Sequence, residues 1–326
     1  MRASVLSSFG DAGQLRPAII PDPAERPGWV TVRLVASALN WHDVLVREGR
    51  YDSPLPHVIG ADGAGRRADT GEEVVILPSL SWGDDESAPG SDWEILGDRT
   101  PGTYAEAVSV PEECVFPKPA GLGWFEAAAL PLVGVTVYRA LHTRGRLRAG
   151  ESVLILGAGG GVATMALSLA NAIGARAWVT SSTRDKIDRA IASGAVDGVS
   201  YASQEWAAEA KRMSPSGRGF DVVLDSVGTW QDSIAALRPG GRLVVLGASR
   251  AEHAQLAVRP FYFGQYELVG TTMGSVHDFA GLLRLMATAS VAPPVIDSVY
   301  PLDRAADAHT HLESGAAFGK IVLGIE

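Results

Sequence analysis

The stretch from Glu151 to Thr183, ESVLILGAGGGVATMALSLANAIGARAWVTSST, constrains this chain more than any other. Ser152 to Leu156 is a short apolar run, Gly157 to Gly161 is a glycine cluster, and a helical pattern follows at once. Val162, Met165, Ala166, Leu169, Ala170 and Ile173 form one stripe of an amphipathic helix. Gly174 stops that helix, and Arg176 to Thr180 reads as a second strand. Strand, glycine turn, helix, strand is the order of a dinucleotide-binding unit. The turn lets backbone approach a pyrophosphate, and the helix N-terminus offers unpaired N–H groups and a positive dipole end.

The literal pattern G-x-G-x-x-G is absent. Counted from Gly157 and Gly159, the sixth position is Val162; counted from Ala158 and Gly160 it is Ala163, and this register keeps small residues where close packing needs them. Ser152 to Ala175 carries no charge and is long, yet its glycines, its polar residues and its stripe mark a buried strand plus helix, not a membrane span.

With 326 residues the chain is expected to hold two domains, and its net charge of −9 argues against nucleic-acid binding. A single cysteine, Cys114, forms no internal disulfide, and Met1 to Asp11 lacks the apolar core of a signal peptide, so a cytoplasmic location and no membrane association are expected.

Upstream of the central unit the chain is strand-rich and broken by Gly and Pro. Strands are predicted at Trp29–Ala38, Val58–Gly65 (with glycine bends), Glu73–Leu77 and Thr103–Val110, with a short helix at Asn40–Gly49. Ser81 to Thr100 is polar and reads as a surface excursion. Glu126 to Tyr138 is an apolar helical region expected to break at Pro131 and Gly134. Downstream, strands at Gly198–Tyr201, Asp221–Asp225, Arg242–Gly247 and Glu267–Thr271 alternate with helices. That alternation predicts an α/β fold with a doubly wound parallel sheet. The tail ends in a strand, Lys320–Ile325, expected to rejoin the N-terminal domain.

The segments Ala38-Leu39-Asn40-x-x-Asp43, Arg47-x-Gly49-x-Tyr51, Ile59 to Gly65, Gly102 to Glu106, Ala128 to Pro131, Asp225 to Gly228, Pro239 to Arg242 and Phe318 to Val322 occur in one order along the chain. Together they resemble the medium-chain dehydrogenase/reductase superfamily, in its zinc-independent, quinone-oxidoreductase-like branch. The resemblance implies a Rossmann sheet, residues 121–261, inserted into a smaller irregular β-rich (GroES-like) catalytic domain made from residues 1–120 and 262–326. It also implies a homodimer.

Zinc-dependent members of that family place Cys where this chain has Asn40, and His-Glu where it has Ala61-Asp62. Their third ligand would fall near Leu132 or Val133, and the four clustered Cys of a structural zinc are missing from Ser81–Thr100. Without thiolate or imidazole at those points a tetrahedral zinc site cannot be assembled, so a metal-free protein is expected. The pair His309 and His311 reads as incidental on a surface helix.

At the end of the second strand no acid awaits a ribose 2′-OH. Ser181 and Ser182, with Arg184 and Lys186 behind them, suit a 2′-phosphate, which favours NADPH over NADH; the plainer alternative is a helix start capped by Thr183. The expected cofactor lining is Ala158, Gly159, Gly160, Gly161 and Val162 in the turn; the resemblance adds Thr136, Ser226, Gly247 and Ala248, Thr271, Thr272 and Met273, and implies Lys320 near the phosphates.

The resemblance implies hydride transfer to a small-molecule quinone or α,β-unsaturated carbonyl. Asn40 is the first candidate to hold the developing oxyanion, with a helix-cap role as its alternative. Tyr51 is a candidate to donate a hydrogen bond or the final proton, with an aromatic packed beneath the Pro54/Pro56 loop as its alternative. Asp43 and Asp62 match family positions and are expected to brace the cleft; His42 is assigned no role. The competing function is a cofactor-binding redox sensor or non-catalytic relative, since fold alone does not establish turnover.

Overall fold

The computed structural model describes residues 1–249 and 251–325, which form two compact units. One comprises Met1–Val135, Gly274–Leu283 and Pro293–Glu326, and the other Thr136–Met273 and Arg284–Ala292. Residue 326, the last of the predicted tail, lies outside the described residues.

The second unit is built on a six-stranded parallel sheet. Its order is Asp197–Ser200, Arg176–Ser181, Ser152–Ile155, Phe220–Asp225, Leu237–Val245, Glu267–Gly270. The central strands are continuous apolar runs because both of their faces are covered: Ser152–Ile155 is buried throughout. After Ser152–Ile155 the chain winds outward to one edge, then returns to Phe220–Asp225 and winds to the other. Such a reversal opens a crevice at the carboxyl ends of the two central strands.

The predicted boundary at residue 262 is corrected. Glu267–Gly270 pairs with the preceding strand from Arg242↔Glu267 to Val245↔Gly270, completing this sheet, so the nucleotide unit runs on to Met273. Its start also moves, from 121 to Thr136, because the apolar helix Trp124–Ala129 clusters with the first unit.

The first unit carries a seven-stranded sheet. The long strand Trp29–Ala38 lies in its middle, between Asp62–Arg67 and the C-terminal strand Lys320–Gly324. That last strand runs antiparallel to Trp29–Ala38 with Val322 opposite Ala38, so the two ends of the chain meet as expected. The register has a chemical consequence: it sets Lys320 beside the residues that follow Ala38.

Gly134 does not break its helix. It lies inside Pro131–Tyr138, its amide bonded to the Leu130 carbonyl at 2.7 Å. A side chain there would meet Leu282 Cδ2 at 2.7 Å, so the missing Cβ serves close packing. The segment Ser81–Thr100 is anchored rather than purely superficial, with Trp82, Ile95 and Leu96 all buried. Gly97 passes so close to Gly60 that a Cβ would lie 2.9 Å from the Gly60 amide nitrogen. This crossing fixes Asp98, at the inner end of the segment. His309 is likewise not on a surface: it is completely buried on the helix Ala305–Glu313. No helix among the described residues is long and apolar enough to cross a membrane.

Candidate active site

In the catalytic unit three chain segments converge on one buried charged hub. Asn40 ends the turn between Trp29–Ala38 and the helix Trp41–Arg47, Asp62 opens the strand Asp62–Arg67, and Lys320 opens the last strand. Lys320 Nζ donates to Asp62 Oδ2 at 2.9 Å and to Asn40 Oδ1 at 2.5 Å, with only 4% of its side chain exposed. Asn40 Nδ2 donates to Asp62 Oδ2 at 2.9 Å, and Asp62 Oδ1 accepts the Leu132 amide at 2.7 Å. A charge buried in this way persists only when paired and hydrogen-bonded, and every member here is.

Two expectations change as a result. Asn40 is turned to the hub: one Nδ2–H goes to Asp62, the amide nitrogen also lies 3.4 Å from the Ala38 carbonyl, and Oδ1 accepts from Lys320. Asp62 and Lys320 are charged, and they hold the side chain more strongly than a neutral contact would. Lys320 is not held out toward cofactor phosphates; burial commits its ammonium to Asp62. Asp62 accepts from Lys320, Asn40 and the Leu132 amide in this hub.

Asp43 continues the network. Its carboxylate accepts the Asn40 backbone N–H at 2.8 Å, which fastens the first turn of the helix, and the Tyr104 hydroxyl at 3.2 Å. Burial, partly offset by His42, the Asn40 amide and Lys320, pushes its carboxyl up to about 6. Tyr104, itself fully buried, reaches His309 Nε2 at 3.0 Å. Burial, reinforced by Arg47, holds the His309 imidazole down at about 3. His311 faces other partners, Tyr300 at 3.1 Å and Asp297 at 3.6 Å. Among the described residues no cluster of three or more His, Cys, Asp or Glu side chains could hold a metal.

His42 is the residue that sequence reasoning missed. Its Nε2 lies 2.6 Å from Asp98 Oδ1, and the two side chains are only 10% and 12% exposed. Tyr51 packs edge-on against the imidazole with ring centroids 4.5 Å apart, and Tyr51 itself is 38% exposed. Burial, with Asp98 nearby, raises the Tyr51 phenol above its ordinary value. No local pattern links position 42 to position 98; the anchored crossing of Gly97 over Gly60 does.

In the nucleotide unit the glycine turn has the conformation the sequence demands. Gly157 and Gly159 adopt φ of +82° and +103°, which L side chains rarely reach. The helix Gly161–Ile173 follows Gly160, and no side chain caps its N-terminus. In the packing register, Ala163 is buried while Val162 is only partly so. Gly157 and Ala158 tie the turn to the second strand through Thr180 Oγ1 at 3.2 Å and Thr180 O at 2.6 Å.

Around that turn, Ser181 is buried whereas Ser182 and Arg184 are exposed. Thr183 accepts the Lys186 amide as a helix cap, and Arg184 pairs with Asp188 at 2.8 Å across one helical turn. Asp225 is buried, accepting the Val227 and Gly228 amides, and so shapes the loop through Ser226. Gly247 passes Ser226 so closely that a Cβ would lie 2.7 Å from its carbonyl oxygen, and Ala248 beyond it is exposed. Thr136 Oγ1 contacts Met273 Sδ at 3.6 Å, Met273 has φ of +34°, and Thr272 is exposed. The Thr271 hydroxyl is buried without any hydrogen-bond partner. An orphaned hydroxyl, an uncapped helix start and a glycine turn fit a polar ligand that brings its own acceptors and donors.

Residues 26–120 match the alcohol dehydrogenase GroES-like domain, and residues 161–288 match the family described as zinc-binding dehydrogenase. Over all of this chain and 99% of its own length, a zinc-type alcohol dehydrogenase-like protein of Schizosaccharomyces pombe is 31% identical. The 2-methylene-furan-3-one reductase of Solanum lycopersicum is 32% identical, over 99% of this chain and 79% of its own. The chain belongs to the medium-chain dehydrogenase/reductase superfamily. A solved structure of an NAD-dependent alcohol dehydrogenase superposes on this family member over the full length of both chains, with a TM-score of 0.93 and 37% identity. Membership makes the protein an oxidoreductase that uses a nicotinamide cofactor. Within the superfamily its relatives carry both alcohol dehydrogenase and enone reductase names, so the branch rests on this chain's own residues.

Proposed function

We propose that this protein is a metal-independent, NADPH-dependent reductase of quinones or α,β-unsaturated carbonyls. One observation carries the reading: the Lys320 ammonium is buried against Asn40 and Asp62, 2.5 and 2.9 Å away. By the family resemblance, those two positions correspond to a zinc ligand and the acid beside another in metal-dependent members. A fixed ammonium supplies positive charge but no open coordination position. It cannot acidify a bound alcohol as a Lewis acid does. Conjugated acceptors need no such activation, only hydride and a proton.

Bound nicotinamide supplies the hydride. The residues of this chain do the rest: the Gly157–Gly161 turn and the helix start bind the pyrophosphate, and Thr271 offers its unpaired hydroxyl to the bound cofactor. Ser182, Arg184 and Lys186 are assigned to a 2′-phosphate. The Arg184–Asp188 pair is solvent-exposed and therefore weak, so Arg184 can exchange it for a phosphate. The enone reductase among the relatives supports the substrate class. We also propose a homodimer, supported by the exposed Val258, Tyr262 and Phe263 beside the open sheet edge at Glu267–Gly270.

The deciding experiment titrates the protein with NADPH and NADH, then follows nicotinamide absorbance after adding a small quinone or an enone. Tight NADPH binding with oxidation by either acceptor is expected. Tight binding without oxidation by any acceptor would instead identify a cofactor-binding sensor.

A further inference from the structure

We infer that His42, held by Asp98, delivers the proton that completes the reduction; this rests on the reductase reading above. The first ground is geometry. Asp98 engages Nε2 of the ring at 2.6 Å, which fixes the imidazole plane and leaves Nδ1 as the working nitrogen. Nδ1 makes no hydrogen bond among the described residues, although the ring is nine-tenths covered. A histidine oriented by a carboxylate through one nitrogen, with the other nitrogen free, is the arrangement of a general acid–base residue.

The second ground is the neighbourhood. His42 lies two residues from Asn40 and one from Asp43, on the first turn of the helix tied to the charged hub. Tyr51, the donor expected from sequence, covers one side of the ring. Burial and Asp98 make its phenol harder to deprotonate. The third ground is construction. Asp98 is presented by a segment that buried Trp82, Ile95 and Leu96 and the glycine crossing hold in place.

The step balances simply. The β-carbon of the enone gains hydride, its C=C pair moves to give an enolate, and the α-carbon takes the proton from Nδ1 of the imidazolium. The imidazole regains a proton from water. With a quinone the same proton goes to oxygen and the product is the hydroquinone.

The test is steady-state turnover of the full chain with NADPH and but-3-en-2-one. His42→Ala is expected to lower kcat about 100-fold, within the range general acids contribute. NADPH affinity by fluorescence titration should stay within about twofold, and added imidazole should restore part of the lost rate. Asp98→Asn, acting through His42, should lower kcat at least about tenfold and leave KM nearly unchanged. If His42→Ala is poorly folded, His42→Gln takes its place with the same expected loss. A kcat within about threefold of the parent, or a loss that imidazole does not relieve, overturns the assignment. A parent protein that binds NADPH and reduces neither enone nor quinone overturns the reductase reading itself, before any variant is compared.

Discussion

Lys320→Met should destabilise the catalytic unit severely, and its partner substitution should repair much of the damage. At an effective dielectric constant of about 20, opposite charges 2.9 Å apart attract by about 6 kcal/mol. Desolvating two ions costs several kcal/mol each, so the intact pair contributes little net stability. Removing the ammonium alone leaves the Asp62 carboxylate completely buried, held only by the Leu132 amide and Asn40 Nδ2. Uncompensated buried charge of this kind costs about 3–5 kcal/mol. Asp62→Asn with Lys320→Met removes both charges and keeps an acceptor for Leu132, so the double variant should recover at least about half of the loss. Urea unfolding followed by fluorescence is the assay, since Trp82 and Trp93 pack together in this unit, 6.0 Å apart. A loss below about 1 kcal/mol for Lys320→Met, or additive effects in the double variant, would refute the buried-pair account.

Stability should also depend on pH through two buried groups acting in opposite directions. His309, lowered from 6.5 to about 3, stabilises the fold above pH 6.5 and loses that contribution, ~5 kcal/mol in full, as pH falls toward 3. Asp43, raised from 3.8 to about 6, has the reverse sign: the fold gains ~3 kcal/mol as pH falls from about 6 to below 3.8. Relative to the parent, His309→Gln should therefore gain stability on acidification and Asp43→Asn should lose it, and pH-independent differences in urea midpoints would contradict both. Arg184→Ala with Lys186→Ala should weaken NADPH at least about tenfold and NADH by less than about twofold, because only the former carries the phosphate; equal weakening of both would defeat the 2′-phosphate assignment. Thr271→Val should leave the cofactor-free protein as stable or slightly more so, since its buried hydroxyl has no partner to lose. The same variant should weaken nucleotide binding in a titration, and unchanged affinity would remove Thr271 from the cofactor site.

The nucleotide unit was legible because its determinants are local. Gly157 and Gly159 sit at positive φ, Ala163 is buried where a small residue was expected, and the apolar strands occupy the sheet centre. Each of those features follows from residues within one turn or one strand of each other. The domain boundary was misread at Glu267–Gly270 for the opposite reason. A short strand carries no mark of which sheet it joins, and only its pairing with Leu237–Val245 assigns it.

The catalytic unit shows the same division more sharply. Asn40, Asp43 and Asp62 were legible as a group, but their roles were not, because the partner that fixes them enters from the other end of the chain. The antiparallel register of Lys320–Gly324 on Trp29–Ala38 brings an ammonium across more than half the sequence to Asn40 and Asp62. With that charge present, the Asn40 side chain is turned to Asp62, Lys320 and the Ala38 carbonyl. The chemistry that remains available moves to the next ring along the helix. His42 shares its turn with Asn40 and Asp43, yet its orientation depends on Asp98, which depends in turn on Gly97 passing within contact of Gly60. Backbone crossings of that kind leave no periodic trace in a sequence, which is why Asn40, Asp43 and Asp62 were singled out there and the histidine beside them was not.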